Sequence, residues 1–289
     1  ESTSAPVREI ILNSVPWFSA SRWPRLPAKM PVGAHATHDR PMAIFKIRFT
    51  RALILPIFYA QAMVETANST ERDALTLKIN EIFYSIQGEG TYALYPCTFI
   101  RLTGCNLRCT WCDTTYSFFE GQAQTLTDIL SQVAGLGGSL VEITGGEPLL
   151  QRNAYALMDL LAEHGKKVLL ETSGSILIDR VPQHVHIILD MKAPGSDEDA
   201  KNKYENLALL KKSDDLKIVV TNRADFDFAV DLVERHNLAT KLERPAIVQP
   251  AFGQLEPAEL GEWIKISRIA LRMGMQLHKY IYEPTLRAV

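Results

Sequence analysis

Cys105, Cys109 and Cys112 place three thiols on one short stretch, with three and then two residues between them. Three thiolates on a single loop suit a 4Fe–4S cluster that leaves one iron open to an outside ligand. A structural zinc site asks for a fourth ligand to close its tetrahedron and stays open as an alternative. The remaining cysteine, Cys97, lies beside an apolar run, where an inert buried thiol is expected. All cysteines of the 289-residue chain therefore fall between Cys97 and Cys112. That concentration reads as metal chemistry in a reducing compartment, not as a secreted disulfide scaffold. A second constellation follows at Thr144-Gly145-Gly146-Glu147-Pro148. Its glycines let a backbone approach a ligand closely, and Glu147 offers an acceptor to a cationic amino group. Alone such a run is often just a turn. Beside the cysteine triad it gains weight.

These residues need elements to hold them. Apolar, strand-like runs occur at 98–102, 140–144, 168–171, 186–190, 217–220, 246–249 and 276–282. Helical periodicity occupies 127–134, 154–164, 204–211, 226–236 and 257–273. Strand–helix alternation predicts an α/β fold with a parallel sheet, either a barrel or an open sheet. The unusual residues repeatedly follow the strands: GCNLRCTWCDTTY after the first, GGEPLLQ after the second, then TSG, MKAP, TN and PAFG. Barrel enzymes carry their chemistry on the loops at the carboxyl ends of strands. A full or partial TIM-type barrel with one active site is the expectation.

Composition bounds the rest. With 46% hydrophobic and 22% charged residues, the chain is an ordinary globular protein with a sizeable core. A net charge of −2 gives no general pull towards nucleic acid or acidic membranes, so neither is expected as a partner. That charge divides into +5 over residues 1–62 and −7 beyond them, and 7 of the 15 prolines lie in the first part. Residues 1–62 show no sustained period. Their apolar run 52–62 is too short to span a bilayer and has the look of a signal peptide. The favoured reading is an upstream extension with Met63 as the initiator, because export would carry an oxygen-sensitive cluster away from its electron donors. The domains are accordingly an irregular extension over 1–62 and a catalytic domain over 63–289.

The C-x3-C-x2-C spacing with the GGEP run resembles the radical S-adenosylmethionine superfamily. Within it, the segments EIFYSIQGEG (81–90), TFIRLTGCNLRCTWCDTT (98–115), ETSG (171–174), DMKAP (190–194) and QLHKY (276–280) resemble the 7-carboxy-7-deazaguanine synthase family. The resemblance spans about residues 77–284. It implies a partial-barrel radical core, a 4Fe–4S cluster, S-adenosylmethionine and Mg2+. The implied reaction begins when the reduced cluster cleaves the sulfonium to give a 5′-deoxyadenosyl radical. That radical takes hydrogen from C6 of 6-carboxy-5,6,7,8-tetrahydropterin, and ring contraction with loss of ammonia yields 7-carboxy-7-deazaguanine, a precursor of queuosine. A cytoplasmic homodimer served by an electron donor such as flavodoxin is implied as well.

Carried onto this chain, the resemblance assigns Cys105, Cys109 and Cys112 to the cluster and Thr114 to magnesium. Ile86, Gln87, Gly88, Arg101, Thr144, His278 and Pro284 fall to the substrate, with Arg101 as a planar fork for the pterin carboxylate. Trp111, Asp113, Gly146, Glu147, Ser173, Asp190, Lys192 and Gln249 fall to S-adenosylmethionine. In some members the carboxyl terminus reaches the substrate soon after the HKY segment, whereas here Glu283-Pro284 is followed by five more residues. Two rival functions stand beside this reading. One is a glycyl-radical-enzyme activase, which needs an open groove for a peptide. The other is a non-catalytic zinc or iron–sulfur module, which has no use for GGEP, ETSG and DMKAP on one rim.

Overall fold

A computed structural model describes residue 72 and residues 74–288, so the expected extension and its boundary at Met63 lie outside the described residues. Single 3-10 turns aside, the elements run β1 (Thr76–Ile86), β2 (Pro96–Leu102), β3 (Gln122–Thr125), α1 (Leu126–Leu136), β4 (Leu140–Gly145), α2 (Ala154–Glu163), β5 (Lys167–Thr172) and β6 (His186–Lys192). They continue as α3 (Glu205–Leu209), β7 (Asp215–Val220), α4 (Arg223–Arg235), α5 (Leu238–Lys241), β8 (Ala246–Pro250), α6 (Pro257–Ser267), β9 (Leu271–Met273) and α7 (His278–Ile281). One sheet holds the strands in the order β3-β1-β2-β4-β5-β6-β7-β8-β9. From β2 through β9 all pairings are parallel, while β1 pairs antiparallel with β2 and β3. The sheet does not close, and the architecture is the expected partial barrel.

The reason these runs become parallel strands is burial on both faces. Every residue of β6 (HIILDMK) and β7 (DLKIVV) is buried, as parallel strands covered by crossover helices require. The helices supply the cover: α2 buries Leu157, Met158, Leu160 and Leu161 in the main core. Side chains cap the starts. Thr125 Oγ1 accepts the Asp128 N–H at 3.1 Å to begin α1, and Asn222 Oδ1 accepts the Asp225 N–H at 3.1 Å to begin α4. Cys97 has no exposure and packs with Phe83, Phe99, Leu140 and Leu169 in a smaller cluster, away from the other cysteines.

Three expectations change. The stretch 76–86, which is not among the expected strands, is β1: its buried Leu77 and Ile79 alternate with exposed neighbours, and the register shifts between Ile79 and Glu81 before Phe83 and Ser85. A half-buried antiparallel strand shows alternation instead of an apolar run. The helix expected over 257–273 stops at Ser267, where Arg268 takes a left-handed φ of 57°, and the chain re-enters the sheet as β9. The strand expected over 276–282, with His278 on it, is a turn and the short helix α7. There the Leu277 N–H donates to Gly88 O at 3.0 Å and the Lys279 N–H to Gln276 O at 2.9 Å, so these groups are not offered to the edge of β9.

Leu157 is 0% exposed in the main core. Leu157→Ala should cost about 2–5 kcal/mol and lower the melting temperature by roughly 5–15 °C, read by denaturant and thermal unfolding.

Candidate active site

A cavity of about 680 Å3 opens at the carboxyl ends of the parallel strands. Its upper wall is the loop that follows β2. There Cys105, Cys109 and Cys112 are partly exposed, unpaired and all on the cavity. The loop is held from several sides. Gly104 accepts the Glu147 N–H at 2.8 Å and donates to Ser117 O at 2.8 Å. Thr110 donates its N–H to Ser196 O at 3.2 Å and its hydroxyl to Gly195 O at 2.8 Å. Arg108 lies over the Phe118 ring at 4.2 Å and donates to Cys105 O at 2.9 Å.

Burial pushes the Cys109 thiol up to about 11, partly offset by Lys192, and raises Cys105 as well, partly offset by the Leu107 N–H. Thiolates at these positions need the charge of a bound metal to hold them deprotonated. Among the described residues no three of His, Cys, Asp and Glu close on one point as a single ion requires. A cluster, with one thiolate on each iron, makes no such demand.

The GGEP run works differently from its expected part. A Cβ on Gly146 would sit 2.3 Å from Gly104 O and 2.7 Å from the Cys105 Cβ, so the missing side chain is what lets the turn after β4 lie against the cluster loop. Gly146 itself lines the cavity. Glu147 does not. It is 0% exposed, and its carboxylate accepts from Thr172 Oγ1 at 2.9 and 3.0 Å, the Ser173 N–H at 2.8 Å, Ser173 Oγ at 2.5 Å and the Leu149 N–H at 2.9 Å. The acceptor expected for a cofactor amino group is instead spent on joining the ends of β4 and β5. Ser173, which also bonds Ser175 at 2.8 Å, stays on the cavity wall.

Trp111, Asp190, Lys192 and Gln249 all line the cavity. Lys192 ion-pairs with Asp190 at 3.1 Å and stands 4.9 Å over the Trp111 ring. Burial opposes its charge, but Asp190 and the Cys109 thiol outweigh that and raise its pKa. Trp111 Nε1, Asp190 Oδ1 and Gln249 Oε1 are buried polar atoms without a hydrogen-bond partner, on three residues that line the cavity; Gln249 Oε1 lies towards Gly274, which is not on that wall. Buried orphans of this kind are costly unless something polar meets them. S-adenosylmethionine, with an ammonium, ribose hydroxyls and a carboxylate, has the complementary groups.

On β2, Arg101 Nε donates to Glu81 Oε1 at 2.7 Å, and the Tyr116 hydroxyl donates to the same oxygen at 2.9 Å. This leaves the Arg101 terminal nitrogens without a protein hydrogen bond among the described residues. Of the segment Ile86-Gln87-Gly88, the first two residues line the cavity. The Gln87 N–H donates to Tyr95 O at 2.9 Å, Gln87 O accepts from Leu94 at 2.7 Å, and Gly88 O accepts from Leu277. Its backbone is thus consumed by turns, and the buried Gln87 amide bonds Glu142 Oε2 and the Glu89 N–H. Gly88 is set back from the cavity. A Cβ there would lie 2.2 Å from His278 Nδ1, so this glycine admits His278 beside the loop. Burial lowers the His278 pKa, with Glu89 opposing.

Thr144 Oγ1 donates to Glu171 Oε2 at 3.3 Å. Thr114 lines the cavity, 3.8 Å from the Cys112 sulfur. Asp113 also lines it, but its carboxylate accepts from Lys279 Nζ at 2.5 Å and Gln276 Nε2 at 3.2 Å, tying α7 to the cluster loop. Pro284 is on the wall with the residues after it, and Arg287 stacks 3.7 Å over Tyr116 and pairs with Glu120 at 3.0 Å.

Sequence reasoning missed the floor. Lys217, 3% exposed, pairs with Glu89 at 2.7 Å, with Asp190 at 3.4 Å and with Glu171. Two residues earlier on β7, Asp215 accepts the Thr91 N–H at 2.8 Å and hydroxyl at 2.7 Å, alongside His186 and Arg272. One strand therefore grips the loop after β1 twice. Glu142 on β4 is 2% exposed and lines the same cavity. The signal was present: a charge inside an otherwise apolar parallel strand, as in VEIT and LKIV, has to be paired or used.

Residues 99–193 match the profile of the radical SAM superfamily. A 7-carboxy-7-deazaguanine synthase from Chlorobaculum tepidum is 44% identical over 216 residues, which are 74% of this chain and 97% of that protein. One from Koribacter versatilis is 40% identical over 227 residues, 74% of this chain and 100% of that protein. Among solved structures, QueE from Escherichia coli aligns with a TM-score of 0.58 at 24% identity over 73% of this chain and 98% of that one, a likeness of fold.

Gly146→Ala forces its new methyl against Gly104 and Cys105. The variant should fold yet take up clearly less iron per chain on anaerobic reconstitution. Iron content equal to wild type would show that the loop yields without cost.

Proposed function

The chain belongs to the 7-carboxy-7-deazaguanine synthase family, and from that membership we propose how its own residues divide the work. It is a radical S-adenosylmethionine lyase with a 4Fe–4S cluster, converting 6-carboxy-5,6,7,8-tetrahydropterin to 7-carboxy-7-deazaguanine and ammonia in queuosine biosynthesis. The family sets aside the activase and the non-catalytic module. When bound, the cluster and S-adenosylmethionine supply the radical that takes the hydrogen from C6 of the pterin.

The three cavity-facing thiols hold the cluster. The observation that carries the placing of S-adenosylmethionine is the group Trp111, Asp190, Lys192 and Ser173 on the cavity wall with the thiols, where Trp111 Nε1 and Asp190 Oδ1 have no partner. Asp190 accepts from its hydroxyl or ammonium groups, Trp111 donates, and Lys192, Ser173 and Gln249 complete that side. Gly146 gives the close approach.

The pterin lies across the floor from it. Its carboxylate meets the free terminal nitrogens of Arg101, which Glu81 and Tyr116 hold in place. Its ring N–H groups face acceptors on Glu171, with Thr144 and the Gln87 amide alongside. Thr114 and the pterin carboxylate hold Mg2+, hard oxygen donors for a hard cation. His278, whose pKa burial lowers, and the tail from Pro284 close the mouth and exclude water. An external donor such as flavodoxin supplies the electron to a homodimeric, cytoplasmic enzyme in this reading. Among the described residues no helix is long and apolar enough to cross a membrane.

Anaerobically reconstituted protein with dithionite, S-adenosylmethionine, magnesium and the pterin should form 7-carboxy-7-deazaguanine by mass spectrometry. Formation of 5′-deoxyadenosine alone would mean that the substrate assignment fails. Cys109→Ala should lose both the cluster's visible absorbance and turnover. Arg101→Ala should keep the absorbance and raise KM for the pterin by about 10–100-fold, the loss of a charge-assisted pair; an unchanged KM removes the carboxylate fork.

A further inference from the structure

Glu142 is a buried carboxyl at the site to which the reaction assigns no part. It occupies the middle of β4, whose other residues from Leu140 to Thr144 are apolar or hydroxylic, and it is 2% exposed. Its partners across the sheet are Phe99 on β2 and Leu169 on β5, so apolar side chains flank it on both sides of its own face. Its hydrogen bond is to an amide: Gln87 Nε2 donates to Glu142 Oε2, while Gln87 Oε1 accepts the Glu89 N–H at 2.9 Å.

The charged and titratable groups packed around it are few. Glu171 stands at the end of β5 and Glu89 in the loop after β1, both with negative charge; Lys217 on β7 and Arg101 on β2 are positive, and the Cys97 thiol on β2 is driven up by burial. Both cations are already committed, Lys217 to Glu89, Glu171 and Asp190, and Arg101 to Glu81. Among the described residues no Lys or Arg forms an ion pair with Glu142. An ionised carboxylate here would therefore be buried, unpaired and beside two like charges.

We propose that Glu142 works as a neutral carboxylic acid, a positioning residue that fixes the amide of Gln87 and keeps one more negative charge away from the pterin carboxylate. Burial first, then Glu171 and Glu89, raise its pKa well above the carboxylate range, with Lys217 and Arg101 opposing. The neutral form is present below that pKa and is lost as pH rises through it. The anionic substrate thus binds to the protonated enzyme, and its affinity declines on the alkaline side. This inference rests on the placing of the pterin in the cavity.

The test is the dissociation constant of 6-carboxytetrahydropterin, measured anaerobically by calorimetry on the reconstituted enzyme with S-adenosylmethionine and no reductant, from pH 6 to 10. Wild type should hold its affinity near neutrality and then lose up to about tenfold per pH unit. E142Q, a neutral isostere that still accepts from Gln87, should bind at neutral pH within about threefold of wild type and lack the alkaline limb. E142A should weaken binding about tenfold or more at every pH, because Gln87 Nε2 is left unpaired. Infrared difference spectra of wild type should show a carboxylic-acid band fading over the same range, a readout needing no variant. A flat wild-type profile, an E142Q limb equal to that of wild type, or E142Q as weak as E142A at neutral pH each overturns the proposal. Failure of wild type to bind the pterin at any pH overturns the placing of the substrate, and this proposal with it.

Discussion

A single ammonium group, Lys217, is the point on which the site's arrangement depends. Removing a charge from water costs several kcal/mol even after relaxation, so a lysine in the middle of β7 demands close anionic partners. Burial alone would lower its pKa. Glu171, Glu89 and Asp190 outweigh that and hold it charged. Each partner comes from a different place: the end of β5, the loop after β1 and the end of β6. Satisfying one cation therefore fixes three chain segments relative to one another. The field of the ammonium in turn keeps Glu89 ionised against its own burial.

From that point the wall builds outwards. Glu89 also accepts from Gln249 at 3.1 Å and from Gln276 at 3.2 Å, drawing in β8 and the segment before α7. Gln276 and Lys279 then reach Asp113 beside the last cluster cysteine. A continuous polar chain thus runs from the sheet floor to the thiol loop. Local low dielectric strengthens each link and makes any gap expensive. The few gaps that exist around the cavity, on Trp111, Asp190 and Gln249, stand out against so complete a network.

How much of this was legible in the sequence follows from what kind of physics fixes each part. The thiol loop was readable because metal chemistry constrains both residue type and spacing. The inner parallel strands were readable because burial on two faces writes a plain apolar run. The strand at 76–86 was not, since a half-buried antiparallel strand mixes polar and apolar positions. Glu142 and Lys217 were hidden by their surroundings: one charge in a buried run is averaged away when the run is read as a strand. Glu147 shows the opposite failure. Its motif gave the residue's neighbourhood but not the direction of its side chain, which points into the protein. His278 was placed on a strand by its apolar neighbours, whereas long-range hydrogen bonding to Gly88 decided its conformation.

The contact between Gly146 and the backbone at Gly104 has a further consequence for how such a site can vary. The two loops it joins are separated by some forty residues of chain, yet they touch without any intervening side chain. There is no rotamer to adjust and no cavity to absorb a difference in path. Insertion or transplantation of one loop alone would collide with the other. The heritable unit is the pair of loops together, and a graft between relatives that respects it must carry both.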